Sequence, residues 1–535
     1  MKKTALAALA VALAAFVRFI ETSAGNIDDA FILLVYAKHF VQHGSFYYNV
    51  SDGPIDGFTS PLDLLLKSAA IAIAPRDPIF VCWLVTLLCH IGVALAAFFI
   101  AKKIAARHQS GSPLLIATIT GLIVATNQGL ADGSAFLLET PLTCLLAIVA
   151  IGWLLLEPPR KPLPAIGYGL LLAALTLARP EGLVLSVLLL ALLIARTKQP
   201  IPAIVFGLLM WAYYSWRLLY FHYLAPNTYY AKTSAHRINE IKDGLHYVWQ
   251  FVLSPGAPGL VWLVLAPLAA LSRRLSSGAR ADYAAVGLLA WAALGTVIWA
   301  GGDCYGGGRF LALPLCISLL LIPMLFSTEW RPLARVAGGL LLFVQIAVMI
   351  AVPIYLAIAA PNDLKKHWAE NVPVRAQSFA CDQEVAGKLQ ALVGGGIVAQ
   401  TDDQRLKYFA DALYVRDLTG LNDRAIAHRS VEGQVLWGKL DLLEAAEQQP
   451  AAIVLGHHVY VHSTALASHS LRAAFENAEW SNDYFGYRIA PIYIDALTAR
   501  YRSASLPACG GWFNFLLRND LVDRYRAAGI LVGPS

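Results

Sequence analysis

Charged residues are scarce in this chain of 535 residues, where they make up 14% of the total and hydrophobic residues 58%. Soluble proteins average about 25% charged residues. Apolar runs of roughly 20 residues, long enough to cross a bilayer, recur along the chain. The composition therefore excludes a soluble enzyme and favours a membrane protein. The net charge of +6 is small for this length, and we expect no nucleic-acid partner.

Internal repeats and low-complexity segments are also lacking. Many transporters are built from inverted repeats, so this absence argues against such a transporter. The seven cysteines include no CxxC pair and no zinc-type spacing. We therefore predict no bound metal from the cysteine pattern.

Apolar runs separated by polar connections predict about eleven membrane-spanning helices. We place them at 4–20, 79–101, 113–127, 140–156, 163–178, 182–195, 201–221, 247–271, 283–300, 310–326 and 336–357. The N-terminal run also fits a signal peptide. It continues through residues 17–20, which favours a retained first helix.

Basic residues are concentrated in alternate connections. They are Lys2 and Lys3; Lys102, Lys103 and Arg107; Arg160 and Lys161; Arg196 and Lys198; Arg273, Arg274 and Arg280; and Arg331 and Arg335. The positive-inside rule places this set in the cytoplasm. The other connections, and everything after the last span, are then extracytoplasmic.

The C-terminal part of the chain has a different character. Residues 1–360 form the predicted membrane domain, whereas residues 361–535 are richer in polar side chains. Strand-like runs such as "GGIVAQ" (395–400) and "AAIVLG" (451–456) alternate with helix-like runs, which predicts an extracytoplasmic α/β domain. Pairing of Cys381 with Cys509 would link the two ends of this domain on the oxidising side; the sequence leaves that pairing open.

The first external connection opens with two adjacent acids, Asp28 and Asp29. Asn26 can cap a helix that begins near residue 27, with both acids in its first turn, and Gly44 suits its end. Its apolar residues form a stripe that faces lipid or protein. We expect this helix to lie along the membrane surface, and the run 61–74 to form a second such helix.

Five further segments bring polar side chains to the external ends of spans. They are "SDGPIDGFTSP" (51–61), "LLETPL" (137–142), "LARPEG" (177–182), "WRLLYFHYLAPNTYYAKTS" (216–234) and "WAGGDCYGGGRFLALP" (299–314). Carboxylates suit a general base, and arginine or lysine suits a phosphate. Taken singly, each segment also fits a structural role: a helix cap, a tight turn with an ion pair, a glycine-rich hairpin or an interfacial aromatic belt.

These segments, in this order, resemble polytopic GT-C glycosyltransferases, most closely the group of the mycobacterial terminal arabinofuranosyltransferase of cell-wall arabinan synthesis. The run "IVAQTDDQRLKYFADALYVRDLTGLNDRAIAHR" (397–429) is similar to the extracytoplasmic domain of that group. The resemblance covers residues 20 to 430. It departs at Asp56-Gly57, where Glu-Gly is expected, at Pro61-Leu62-Asp63, where a tryptophan is expected, and at Thr401-Asp402-Asp403-Gln404.

The resemblance implies an inverting transferase in a bacterial cytoplasmic membrane. It would take a sugar, with arabinofuranose as the best guess, from a polyprenyl-phosphate donor to a glycan, lipopolysaccharide or pilin-like acceptor on the outer side. Asp28 or Asp29 becomes the base. Candidate donor-phosphate ligands are Arg179, Arg217, Lys232 and Arg309; candidate sugar or acceptor ligands are Thr59, Glu139, Glu181, His222, Asn227 and Asp303. No cofactor is required, although the acid pair is compatible with a divalent cation.

Two other functions are compatible with parts of the sequence. A transporter or flippase of a lipid-linked sugar would also place charges near a lipid phosphate, but its site is expected near the bilayer midplane rather than at one face. A binding module with a membrane anchor would need far fewer than about eleven spans. The transferase is therefore the preferred hypothesis.

Overall fold

The computed structural model describes residues 2–22, 29–233, 236–252, 263, 276–303, 308–326, 335–336, 339–340, 343, 347, 374–402, 404–430, 439–457, 461–477, 479–480 and 490–534. Residue contacts divide the chain into two compact units. We call them the helical unit (Met1–Asn26, Thr59–Leu219 and His236–Asn371) and the sheet unit (Ile27–Phe58, Tyr220–Ala235 and Val372–Ser535). Two segments that we assigned by sequence to the membrane domain, 27–58 and 220–235, thus pack with the C-terminal residues.

Helices dominate the first 325 residues. They are α1 (Lys2–Glu21), α2 (Asp29–His43), α3 (Pro61–Ile73), α4 (Pro78–Arg107), α5 (Pro113–Ala125), α6 (Gln128–Ala135), α7 (Thr140–Leu156), α8 (Pro162–Ala178), α9 (Glu181–Thr197), α10 (Ile201–Phe221), α11 (Asn227–Ala231), α12 (Arg237–Val252), α13 (Ser277–Trp299) and α14 (Arg309–Leu325). The last of these mixes α and 3-10 turns.

Four of the described helices, α1, α4, α10 and α13, are long and apolar enough to cross a membrane. The bent pair α5 and α6 would make a fifth span, and α7, α8 and α14 are shorter apolar helices. The described part of the chain is therefore a mostly helical protein with four or five candidate spans. Most of the expected spans 247–271 and 336–357 lies outside the described residues.

Helix boundaries follow local signals. Asp77 caps α4 by accepting a hydrogen bond from the backbone N–H of Phe80, and Ser112 caps α5. Proline occupies the first turn of α4, α5, α7 and α8, where its missing N–H costs nothing. These signals explain why the sequence placed α7 and α8 within a residue of their observed bounds.

The apolar run 113–135 is broken between α5 and α6, which meet at an angle of 49°. Asn127 causes the break, because its side chain accepts a hydrogen bond from the N–H of Leu130 and starts a new helix. The freed carbonyl of Ala125 lies 3.0 Å from Nε2 of the buried His90. The predicted span 113–127 is therefore the first half of a bent pair.

Contacts between helix ends bring described residues of several basic connections together at one end of the helical unit, which we call the basic end. Arg196 of α9 and Arg107 of α4 both approach the carboxylate of Asp282 in α13, at 2.9 and 3.7 Å. Lys102 donates to the hydroxyl of Thr4 in α1, at 2.9 Å. The helices α7, α8 and α9 alternate in direction between the basic end and the opposite end, as the alternating charge pattern predicted.

The sheet unit contains a mixed seven-stranded sheet. Its strands are β1 (Ile397–Asp402), β2 (Tyr414–Asp417), β3 (Ala452–His457), β4 (Val461–His462), β5 (Tyr501–Ala508), β6 (Gly511–Arg518) and β7 (Leu531–Val532). Their order is β2-β1-β3-β6-β5-β7, with β4 beside β6. The first three strands are parallel and the remaining pairings are antiparallel. A C-terminal domain of mixed helix and sheet is thus confirmed.

The sheet is surrounded by further helices. These are α15 (Val374–Val393), α16 (Gln404–Phe409), α17 (Arg424–Ala427), α18 (Leu442–Glu447), α19 (Leu471–Glu476), α20 (Pro491–Arg500) and α21 (Val522–Ala527). A disulfide joins Cys381 in α15 to Cys509 in the β5–β6 turn. The pairing that the sequence left open is therefore present, and it closes a loop of 128 residues within the sheet unit.

Helix α2 is part of the core of the sheet unit. Residues 30–37 are all buried, and the ring of Phe31 packs against Tyr408 and Phe409 in α16. Both ring nitrogens of the buried His39 face acceptors, the Asp411 carboxylate at 2.6 Å and the Tyr47 carbonyl at 2.9 Å. Of the two alternatives for the apolar stripe of this helix, a lipid-facing or a protein-facing one, the structure shows the second.

Candidate functional site

Three of the expected site residues meet at the end of the helical unit opposite the basic end. Glu139 precedes α7, Arg179 follows α8 and Glu181 begins α9. The Arg179 guanidinium contacts Glu139 at 3.2 Å and binds Glu181 through two nitrogens, at 2.9 and 3.2 Å. The turn "ARPEG" therefore presents its arginine to carboxylates from two helices, a geometry that guanidinium groups favour.

A second arginine lies beside the first. Arg309, at the start of α14, pairs with Asp303 through two nitrogens, one of them 3.1 Å from the carboxylate. The Phe310 ring lies between the cations, with its centroid 4.8 Å from the Arg179 guanidinium and 5.3 Å from that of Arg309. We call this group the arginine cluster; its members are Glu139, Arg179, Glu181, Asp303, Arg309 and Phe310.

The arginine cluster surrounds a narrow cavity. Arg179, Glu181 and Arg309 line it together with Thr140, and its volume of about 10 Å³ is just enough for one water molecule. The Thr140 hydroxyl is buried and has no hydrogen-bond partner among the described residues. A phosphate would fit only if the two arginines exchanged carboxylate oxygens for phosphate oxygens.

Helix α3 adds a buried ion pair that we did not assign to the site. Lys67 pairs with Asp63 one turn earlier, and both side chains are less than 10% exposed. Both also interact electrostatically with Glu139. The i, i+4 spacing of opposite charges in an apolar helix is the signal that could have identified this pair.

The turn between α8 and α9 requires a glycine at position 182. A Cβ atom there would overlap the backbone carbonyl of Leu175. We predict that Gly182→Ala lowers the thermal stability of the purified protein in detergent, by the roughly 1–3 kcal/mol typical of overpacking. Gly207→Ala in α10 is the matched control, because a Cβ there meets nothing within 4 Å. Equal effects of the two changes would contradict this explanation.

The remaining expected site residues of the helical unit lie as follows. Arg217 is buried on α10, where its guanidinium donates a hydrogen bond of 2.9 Å to the Tyr213 hydroxyl. Thr59 is half-buried just before α3. Five of the expected residues are thus brought together in the arginine cluster.

The other expected residues belong to the sheet unit. Asn227 has a structural role, since its amide nitrogen donates to the carbonyls of Gly420 and Leu421, at 2.8 and 3.0 Å. His222 and Lys232 are exposed. Asp29 is the first residue of α2, and Asp28 lies outside the described residues.

A buried polar network connects the first external segment to the sheet. The Tyr36 hydroxyl donates to Oδ1 of Asn422 and accepts from the N–H of Gly57, both at 3.1 Å. Asn422 in turn donates to Asp417 at the end of β2, at 2.8 Å. A Cβ on Gly57 would overlap Tyr36 and Asn422, so the glycine of the "DG" pair in the first external segment is needed for this contact.

Burial raises the pKa of Asp417 to about 6, although hydrogen bonds from Thr419 and Asn422 oppose the shift. Since the unfolded carboxyl titrates near pH 4, the native state binds more protons between about pH 4 and 6. The stability that this group contributes is present below about pH 4 and is lost as the pH rises through 6.

We therefore predict that the sheet unit of the full chain becomes less stable as the pH rises from about 4 to about 6, by roughly 2–3 kcal/mol from Asp417 alone. Hydrogen exchange of the β1 and β2 amides, corrected for intrinsic rates, measures this slope. Asp417→Asn should flatten it. An unchanged slope in the variant would show that Asp417 is not the titrating group.

The described residues include no group of three histidine, cysteine, aspartate or glutamate side chains placed to hold a metal ion. Asp28 lies outside the described residues, so a cation site at the expected pair of Asp28 and Asp29 stays a prediction. Comparison with known protein families and with curated proteins found no match to this chain.

Proposed function

We propose that this protein is an inverting glycosyltransferase with about eleven spans, which moves a sugar from a polyprenyl-phosphate donor to an extracytoplasmic glycan, lipopolysaccharide or protein acceptor. The observation that carries the proposal is the arginine cluster. It places two buried guanidinium groups and three carboxylates at one end of an apolar helical unit. Placing ionisable groups in such a setting costs free energy, so a functional role is the default hypothesis for them.

The chemistry of the cluster suits a lipid phosphate. Arg179 and Arg309 offer forked donors that match phosphate oxygens as well as carboxylate oxygens. When the donor is cleaved, the leaving polyprenyl phosphate gains charge, and preorganised cations stabilise that charge in the transition state. The carboxylates of Glu139 and Glu181, released from Arg179, would then be free to accept hydrogen bonds from sugar hydroxyls.

The disulfide supports an extracytoplasmic position for the sheet unit. Cys381 and Cys509 are bonded, and structural disulfides persist in oxidising compartments. The clustering of basic residues at one end of the helical unit favours a cytoplasmic location of that end. Both points agree with a site at the outer face of a bacterial cytoplasmic membrane.

The resemblance assigns the base to Asp28 or Asp29, with arabinofuranose as the best guess for the sugar. Asp28→Asn and Asp29→Asn are each made in the full chain, and transfer is measured in membranes. We expect one variant to lose at least about a hundredfold in rate, as removal of a general base does. Full transfer by both variants would overturn the base assignment.

One observation favours the second candidate, a flippase of a lipid-linked sugar. The bent pair α5 and α6 is a discontinuous helix, and such helices form the binding sites of many transporters. The purified protein in detergent separates the two functions, because transport cannot be scored there. With donor and acceptor supplied, a sugar-modified acceptor detected by mass spectrometry supports the transferase. Movement of the lipid-linked sugar in vesicles, without product in detergent, supports the flippase.

A further inference from the structure

An open apolar groove lies at the basic end of the helical unit, away from the arginine cluster. Its walls are formed by Leu115, Ile116 and Ile119 of α5 and by Phe326 at the end of α14. Its volume is about 480 Å³, which is within the roughly 300–1,000 Å³ of typical small-molecule sites. This shape and lining suit a hydrocarbon chain.

One cation stands in this apolar lining. Arg335 borders the groove, and its Nε atom is buried without a hydrogen-bond partner among the described residues. The Arg335 side chain as a whole is half-buried, and a buried donor nitrogen without a partner carries a desolvation cost. A ligand that supplies an anionic oxygen would remove that cost.

Two neighbouring features also favour an anion. Ser112 at the rim caps α5, so the N-terminal dipole of that helix is directed at the groove mouth. The rim residues Gly111 and Ser112 follow Arg107 closely in the sequence. The carboxylate partner of Arg107 is Asp282, which also contacts Arg196 and His108. Two arginines thus share one carboxylate, and this part of the basic end keeps an excess of positive charge.

We propose that this groove binds one anionic phospholipid, with an acyl chain along α5 and the headgroup phosphate at Arg335. The proposal does not depend on the glycosyltransferase function, because the groove and the arginine cluster lie at opposite ends of the helical unit. Apolar walls continuous with a cationic rim fit a lipid with a negative headgroup better than a free phosphate ion, which would leave the walls uncovered.

Native mass spectrometry of the full chain in detergent tests the proposal, with phosphatidylglycerol and phosphatidylcholine of identical acyl chains as probes. We expect one phosphatidylglycerol to bind more tightly than phosphatidylcholine. Arg335→Gln should lower the affinity for phosphatidylglycerol about fivefold and leave that for phosphatidylcholine unchanged. Arg335→Lys should restore the preference, and Ile119→Trp, which fills the groove, should weaken binding of both lipids.

Arg160→Gln is the matched control, since Arg160 is an exposed arginine of the same end that does not line the groove. It should leave both affinities unchanged. Equal binding of the two lipids by the unaltered protein, or equal losses in Arg335→Gln and Arg160→Gln, would overturn the proposal. Binding of inorganic phosphate at the same site without any lipid preference would also overturn it.

Discussion

Replacing Arg179 with glutamine is expected to lower sugar transfer by about 10²–10³-fold, the loss seen when one preorganised donor to a developing anion is removed. Arg179 is the better of the two cluster arginines for this test. Its partners Glu139 and Glu181 keep 12% and 17% exposure, whereas Asp303, the partner of Arg309, keeps 3%. The change therefore leaves less uncompensated buried charge behind. Transfer is measured with the purified full chain in detergent.

A matched control separates loss of function from loss of fold. Arg196→Gln removes an arginine–carboxylate pair of similar length, 2.9 Å, at the basic end, and should leave transfer nearly unchanged. Arg179→Lys keeps the charge but loses the forked geometry, so an intermediate rate is expected. If Arg179→Gln retained full transfer while its thermal unfolding matched the unaltered protein, the arginine cluster would not be the donor site.

Breaking the disulfide is expected to destabilise the sheet unit strongly. Cys381 and Cys509 are separated by 128 residues, and closure of so long a loop contributes up to roughly 5 kcal/mol by restricting the unfolded chain. Cys381→Ser should therefore make the sheet unit of the full chain unfold at a lower denaturant concentration, as followed by limited proteolysis. A reductant should have the same effect on the unaltered protein.

The variant supplies its own control, because a reductant should change nothing further in Cys381→Ser. The four free cysteines of the described residues, Cys82, Cys89, Cys144 and Cys316, are in the helical unit and form no disulfide. Equal resistance of oxidised and reduced protein to denaturant would contradict a structural role for the bond.

Local signals in the sequence were sufficient for much of the helical unit. The bounds of α7, α8 and α9 were predicted to within two residues, because proline and charged residues interrupt the apolar runs there. The break after α5 was missed, since the apolar run masks a single asparagine cap at position 127. Hydropathy averages over a window and does not register one hydrogen bond.

The role of the first external segment could not be read from the sequence. The Asn49 side chain pairs with both the N–H and the carbonyl of Val415 in β2, at 3.0 and 2.9 Å. The partners are 366 residues apart, and no local pattern predicts such a pairing. Without it, the sequence could not decide whether the apolar stripe of α2 faces lipid or protein; in the structure it forms part of a protein core.

The sequence predicted most members of the arginine cluster, but it did not predict which of them pair with each other. The motifs identified Glu139, Arg179, Glu181, Asp303 and Arg309 as site residues. Which carboxylate meets which arginine depends on how the ends of four helices, α7, α8, α9 and α14, pack together. The position of Phe310 beside both cations had no sequence signal. Asn227 was predicted as a sugar or acceptor ligand, and that role stays a prediction; the contacts of its amide nitrogen with the carbonyls of Gly420 and Leu421 had no sequence signal.

The most direct test of the account is a density map of the full chain with a polyprenyl phosphate bound. If the arginine cluster is the donor site, we expect the phosphate within hydrogen-bond distance of Arg179 and Arg309, with at least one of their present carboxylate contacts released. A phosphate bound elsewhere, with the pairs of Arg179 to Glu139 and Glu181 and of Arg309 to Asp303 still intact, would contradict it.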